Sequence, residues 1–463
     1  MKAKSFIVTT EEHLTDSKPS QHSTIPPMRL YIHPTSLLTV FFLLAASLTH
    51  AGTLLLKNGI FHTMSHQPVV KGDLLIQNQN IAMIADRISS PADAVLDLEE
   101  AHVYPGMIAM TTTLGLLEIN SVRATLDTTE VGQWTPEVLS WRAVNPSSEL
   151  LPVARANGIT HAQPIPLGGT LSGQSGLIQL DGWTLEDMLV KPSVGYHLFW
   201  PSAAIQHTPK ALMAQPSNWK SPKDQKTAHR KKVETITEFL ASSKAYVEGL
   251  RSNDTLSPIP SWEAMRAWVE GKEPLFIHAS EHRQIESLLD WVETNASKVV
   301  LVGGRDAWKS AHRLADLKVP VVYEHTFTLP QDDTASYDVQ FTAPSILFRA
   351  GVKVIFSEGS NRFAASAVRN LPYAAAQATA FGLPEDEAMK GITCYPAEVL
   401  GMSHRIGSLK TGMEASLVIL NGPLLDIRSQ VTHMWIKGQP VSLESRHTRL
   451  YEKYRKRPQV PKR

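Results

Sequence analysis

Six side chains able to bind a metal ion or move a proton stand at or near the ends of short apolar runs. They are His161, His197, His278, the pair Glu324-His325, and Glu358. Imidazole and carboxylate are the usual ligands of a catalytic zinc, for which three protein donors suffice, and they are also the usual general acids and bases. Side chains alternate in direction along a strand, so not all six can face one cavity. The set with most in its favour is His197, His278 and Glu358, holding a single divalent ion such as zinc or no ion at all. A carboxylate at the end of a buried strand is costly without a partner. Glu358 therefore reads either as a functional base or as half of an ion pair with Arg305 or Arg362.

Other candidates carry less. Gly168-Gly169-Thr170-Leu171-Ser172-Gly173-Gln174-Ser175 has the glycine content of a phosphate cradle but no P-loop lysine, and it reads as a tight turn across a cavity mouth. Gln174 within it, and Arg362 after Glu358, are expected to bind substrate. Asn361, Arg369 and Asn370 read equally as polar helix starts. Cys394, the one cysteine, has no base beside it and reads as a small buried hydrophobe.

These residues need elements to hold them. Eight short apolar runs alternate with amphipathic stretches: 107–113, 158–165, 176–180, 196–200, 275–279, 299–303, 319–324 and 353–357. The pattern predicts a parallel (β/α)8 barrel, with a doubly wound open sheet as the alternative. Helices are expected over 281–294, 306–317 and 366–381. A Pro/Ser/Lys-rich stretch at 202–262, including a helix at 231–249, reads as an insertion over the barrel mouth. Alternating runs at 53–61, 74–84 and 94–103, and again at 416–420 and 431–437, predict a small β-sandwich built from both ends of the chain.

The chain has 463 residues, 43% of them hydrophobic and 19% charged, with a formal net charge of +1. No global field favours nucleic acid, and a small-molecule substrate is expected. The run Leu37–Leu48 follows Met28-Arg29 and precedes Thr49-His50-Ala51, the layout of a secretory signal cleaved before Gly52. The expected organisation is a polar extension (1–27), a signal peptide (28–51), the N-terminal segment of the sandwich (52–104), the barrel (105–403), the C-terminal segment of the sandwich (404–445) and a basic tail (446–463). Export to the periplasm, with no stable membrane insertion after signal removal, follows from that reading, and Met28 is an alternative initiator. Oligomeric state is not legible.

Several segments together resemble the metal-dependent amidohydrolase superfamily, in particular its imidazolonepropionase-like and deacetylase-like branch. They are Pro105-Gly106-Met107-Ile108, Ala156-Asn157-Gly158-Ile159-Thr160, Ile277-His278-Ala279, Gly382-Leu383-Pro384, Pro396-Ala397-Glu398-Val399-Leu400-Gly401 and Ile406-Gly407-Ser408-Leu409-Lys410-Thr411-Gly412. The resemblance implies hydrolysis of carbon–nitrogen bonds other than peptide bonds, by hydroxide generated on a divalent metal. It also implies ligands: His-x-His on strand one, a lysine or carboxylate on strand four, histidines on strands five and six, and an aspartate on strand eight that doubles as base. Here the strand-one pair falls on Thr111 and Thr113, strand four near His197, and strand five on His278. Strand six (Leu301-Val302-Gly303-Gly304-Arg305) lacks histidine, and Glu358 replaces the aspartate. Threonine hydroxyls are poor zinc ligands beside imidazole. Two expectations follow. One is a hydrolase with a remodelled or metal-free site, with Glu358 as base and His278 as metal ligand or carbonyl polariser. The other is a pseudoenzyme, a catalytically inactive binding or scaffold protein on the same barrel.

Overall fold

The structure, a computed structural model, describes residues 52–65, 69–252, 257–295, 297–331, 333–361 and 363–457. The expected extension, the signal segment and Arg362 lie outside the described residues. The first strands are β1 (Thr53–His62), β2 (Val69–Gln77), β3 (Asn80–Ala85), β4 (Ala94–Asp97) and β5 (His102–Pro105). Asn58 takes a left-handed φ of 54° beside Gly59, and there β1 slips register against β2. The displaced Asn58 N–H donates to Asp73 Oδ1 at 3.1 Å, which keeps the bulge satisfied.

Only Gly106 separates β5 from the first barrel strand. The barrel comprises β6 (Met107–Thr112), β7 (Ile159–Pro164), β8 (Leu171–Gln179), β9 (Leu189–Phe199), β10 (Leu275–Ala279), β11 (Val299–Gly303), β12 (Val321–Tyr323) and β13 (Val354–Phe356). They pair in chain order from β6 to β13. The expected parallel barrel needs one correction: β8 runs antiparallel to both β7 and β9. The Gly168-Gly169 turn, with φ of 87° and 67°, reverses the chain after β7 in place of a crossover helix. The seam between β13 and β6 is closed at its base by Gly391-Ile392. Phe356 N–H donates to Gly391 O at 3.1 Å and Ile108 N–H to Ile392 O at 3.0 Å.

The helix expected at 231–249 spans Pro222–Ser252. It does not form a lid over the mouth. Ile236 and Leu240 are buried in the main core, and Trp291 Nε1, on the helix His282–Asn295, donates to Thr237 Oγ1 at 3.0 Å. The segment therefore packs against that helix as a component of the barrel wall. No helix among the described residues is long and apolar enough to cross a membrane.

The remaining strands, β14 (Leu417–Leu420), β15 (Val431–Ile436) and β16 (Gln439–Pro440), return to the first sheet, where β14 pairs antiparallel with β5. The sandwich-like sheet is thus assembled from both ends of the described chain, as the alternating runs near both ends predict.

Inside the barrel, one apolar layer is formed by Ile108, Met110, Leu177, Val194, Phe276, Val300, Val302, Val322 and Ile355. Ala397, Val399, Leu400, Met402 and Ile406 belong to the same cluster and plug its floor. Side chains two residues apart on a strand share a face. One step toward the mouth, Phe276 is therefore followed by His278, Val322 by Glu324 and Ile355 by Ser357, and on the reversed β8 Leu177 by Ser175. At that level the interior changes from hydrocarbon to polar.

Candidate active site

The polar layer is a hydrogen-bonded chain built from seven of the eight barrel strands. It starts from a backbone irregularity. Thr111 has a φ of 47°, unusual for a β-branched residue, at a register shift between β6 and β7. The shift takes its N–H out of the ladder, and the Gln163 side chain accepts from it through Oε1 at 3.2 Å. It also aims the Thr111 hydroxyl at Glu324 Oε1 (2.8 Å) and Ser357 Oγ (2.9 Å). Ser357 Oγ lies 2.8 Å from Met110 O, tying β13 to β6 across the open seam.

On the other side, Gln163 Nε2 donates to Ser175 Oγ at 2.8 Å, and Ser175 Oγ lies 2.8 Å from His197 Nε2. His197 Nδ1 lies 3.0 Å from His278 Nε2. The rings are held by stacking: His197 on Phe276 with centroids 5.1 Å apart, and His278 on Phe199 at 4.1 Å. Gln163, Ser175 and His197 are fully buried, and His278 is partly exposed at the mouth. Burial holds the His197 imidazole well below its ordinary pKa, with the neighbouring His278 adding to the effect, and lowers His278 to about 3. Both rings are neutral at pH 7.

Two carboxylates stand at the same level. Burial raises Glu324 to about 7 against the opposing hydrogen bond from Thr111, and it raises Glu358 to about 7. Glu358 Oε1 is buried with no hydrogen-bond partner, and among the described residues no cation pairs with Glu358. Arg305, one expected partner, has its Nε 3.7 Å from Asp306. Thr113 Oγ1 and Thr326 Oγ1 are likewise buried without partners. Orphan polar atoms thus stand just beyond the C-terminal ends of three neighbouring strands, β12, β13 and β6. Buried polar groups are nearly always satisfied by protein, water or ligand, so such a group marks a place where something else binds.

The remaining candidates are dispersed. Gln174 points out of the barrel, where its Nε2 donates to Pro136 O at 2.8 Å. His161 is buried toward the terminal sheet, with Nδ1 2.9 Å from Thr160 Oγ1 and Nε2 4.0 Å from Glu414 Oε1, and burial lowers it to about 4. His325 contacts Ser280 and Thr328, and burial lowers it to about 4. Arg369 lies 3.5 Å from His447 Nδ1, away from the mouth. The Cys394 thiol is pushed up to about 11 by burial, as expected of an inert side chain. Gln163, Ser175 and Ser357 are site residues that the sequence reading missed. The signal available was the spacing of two along each strand from the apolar layer.

These residues do not fit a metal ion as they are arranged. Thr111 is bonded to Glu324 and Ser357, both nitrogens of His197 are engaged, and His278 Nε2 faces His197. Among the described residues no three His, Cys, Asp or Glu side chains form a group able to hold one.

Residues 281–443 match the family model described as the amidohydrolase family, a span that includes Glu324 and Glu358 but begins just past His278. The chain is 22% identical over 425 residues, 82% of its length, to amidohydrolase tasK of Hapsidospora irregularis. A 43-residue stretch is 44% identical to the imidazolonepropionase of Psychromonas ingrahamii. The chain spans only 41% and 11% of the lengths of these two relatives. Among solved structures, an amidohydrolase from Thermotoga maritima MSB8 superposes with a TM-score of 0.70 at 23% identity, covering 84% of this chain and 99% of the other. A prolidase complexed with N-methylphosphonate-L-proline gives 0.51 at 14% identity, with the same coverages. At these identities the likeness is one of fold.

Proposed function

We propose, for a chain whose residues 281–443 match the amidohydrolase family model and whose barrel has the fold of a solved amidohydrolase, a hydrolase of non-peptide carbon–nitrogen bonds that works by acid–base groups of the protein alone. The observation that carries the reading is Glu358. It is a carboxylate at the C-terminal end of a barrel strand, where barrels gather their chemistry, with a buried unpartnered oxygen and a pKa raised to about 7. In its ionised form Glu358 takes a proton from water as the water oxygen attacks the carbonyl-type carbon. His278, a neutral ring at the mouth, hydrogen-bonds the oxygen on which charge develops. The carbon–nitrogen bond then breaks and the proton held by Glu358 passes to the leaving nitrogen. One water is consumed, yielding an acid and an amine.

The test is amine release from a panel of N-acyl and cyclic amides, with and without chelator. Turnover is expected to be indifferent to chelator, to rise with pH through about 7 as Glu358 ionises, and to fall at least ~100-fold in Glu358→Gln. Turnover that requires added zinc, or survives Glu358→Gln, overturns the reading. A second reading, a catalytically inactive binding protein, draws support from the closed Thr111–Glu324–Ser357 and His197–His278 contacts. It expects ligand binding that perturbs the His278 resonances without turnover. Export extends the proposal, and a mature N-terminus at Gly52 in a periplasmic fraction is the expected result.

A further inference from the structure

The geometry points to His278 being locked as a single neutral tautomer, with Nδ1–H offered to the mouth and Nε2 accepting, by a one-way hydrogen-bond relay that begins at the Thr111 backbone amide. The direction follows from the proton inventory of each group. A backbone N–H can only donate, so the Gln163 atom 3.2 Å from Thr111 N is the carbonyl Oε1, and the amide cannot be flipped. Its Nε2 must then face Ser175 and can only donate, filling one acceptor position on Oγ at 2.8 Å. Ser175 has one proton and one remaining neighbour, His197 Nε2, 2.8 Å away. If His197 Nε2 carried the proton instead, the serine hydrogen would have nowhere to go in a fully buried site. Ser175 therefore donates, His197 Nε2 is bare, and the neutral ring carries its proton on Nδ1. That proton points along the 3.0 Å contact to His278 Nε2, which must accept.

The consequence reaches the mouth. The His278 ring has no other hydrogen-bond partner among the described residues and the residue is partly exposed, so its Nδ1–H is presented outward. Protonating Nε2 would set two N–H groups head to head, so the relay also keeps the ring from acting as a base. The group it recognises is an acceptor oxygen, carbonyl or carboxylate. Gln163, Ser175 and His197 are positioning residues that act through His278. The catalytic use of that donor rests on the hydrolytic reading above, whereas the tautomer itself does not.

The test is the 15N spectrum of histidine-labelled protein, in which bare and protonated imidazole nitrogens are well separated, with His278→Phe used to assign the ring. Wild type is expected to show His278 with a protonated Nδ1 and a bare Nε2. Gln163→Glu, compared with wild type at pH 9 so that a buried carboxyl is ionised, is nearly isosteric but has no donor. Ser175 would then donate to the carboxylate and His197 Nε2–H to Ser175, and His278 would switch to a bare Nδ1 and a protonated Nε2. A bare Nδ1 in wild type, or a folded Gln163→Glu protein whose His278 is unchanged, overturns the relay. Should that variant fail to fold, Ser175→Ala serves. Loss of the donor to His197 should leave both His278 nitrogens at averaged shifts, and an unaltered Nδ1–H would refute the mechanism. Wild-type protein with the expected tautomer but no turnover on any amide supports the relay and counts only against hydrolysis.

Discussion

At the scale of the residue, the site stores its cost in carboxylates held away from water. Glu358 has a folded pKa raised to about 7 from an ordinary 4.5, and burial is the cause. A raised folded value means that the group's contribution to stability is present below about 4.5 and is lost as pH rises through about 7. Above neutrality the ionised carboxylate, with no cation paired to it among the described residues, is a liability to the fold. Glu358→Gln is therefore expected to be more stable than wild type at pH 8, by on the order of 1–3 kcal/mol, with the difference gone by pH 4. Thermal melts across that range check it, and a variant less stable at pH 8 would mean that a cation faces Glu358 in solution. The buried histidines oppose this trend. His161, His278 and His325 are lowered to about 4, 3 and 4, so their contribution is present above 6.5 and lost as pH falls through those values. Acidification from pH 6.5 to 4 should accordingly lower the melting temperature of both wild type and Glu358→Gln.

At the scale of the element, the apolar runs located the strands well because each barrel strand is buried on both faces and leaves a short continuous hydrophobic signature. Direction was not legible in the same signal. Apolar run and turn read alike whether the next strand is parallel or antiparallel, and β8 is the strand that reverses. Its start was also hidden, because Gly173 interrupts the alternation. A Cβ there would lie 2.7 Å from Val138 O, so the glycine admits the close approach of a neighbouring segment. The helix Pro222–Ser252 began earlier than its apolar period suggested because its first turns are charged and solvated. His197, His278 and Glu358 were singled out with the help of analogy, but the hydrogen bonds that Gln163 and Ser175 make beside them were not legible, since glutamine and serine in an apolar run announce no partner. Gly106 shows an element-level requirement that the motif concealed. A Cβ at this one-residue junction of β5 and β6 would lie 2.2 Å from Thr160 Oγ1 and 2.3 Å from its Cγ2. Gly106→Ala is thus expected to destabilise by about 1–3 kcal/mol through overpacking of the first strand pair, measured by chemical denaturation. Pairing it with Thr160→Ser, which removes the Cγ2 methyl, should recover some of that loss.

At the scale of the molecule, the terminal sheet and the barrel share their cores through β5, β14 and β15, with β14 in the middle. β14 reads Leu-Val-Ile-Leu and is buried throughout, a pattern without alternation whose reason is visible in its neighbours. Leu417 and Ile419 pack in the sheet's own cluster with Leu56, Phe61 and Trp435, whereas Val418 and Leu420 belong to the cluster that includes Met107, Ile159 and the barrel wall. Gly106 N–H donates to Ser416 O at 3.0 Å, and Leu424 N–H to Tyr104 Oη at 3.2 Å, so the return strand is fastened at the point where the sheet becomes the barrel. A strand that contributes alternate side chains to two cores couples their unfolding, because neither core survives its removal intact. Ile419→Ala, which opens a cavity only in the sheet, and Val418→Ala, which opens one only toward the barrel, are each expected to cost about 1–4 kcal/mol. Hydrogen exchange read by peptide is the check. Each substitution should lower protection by the same factor in peptides from β1, β6, β10 and β14, whichever core it touches. If Ile419→Ala loosened β1 and β14 and left β10 at wild-type protection, the sheet would be a separately folding appendage, and the barrel mouth would owe nothing to the chain's return.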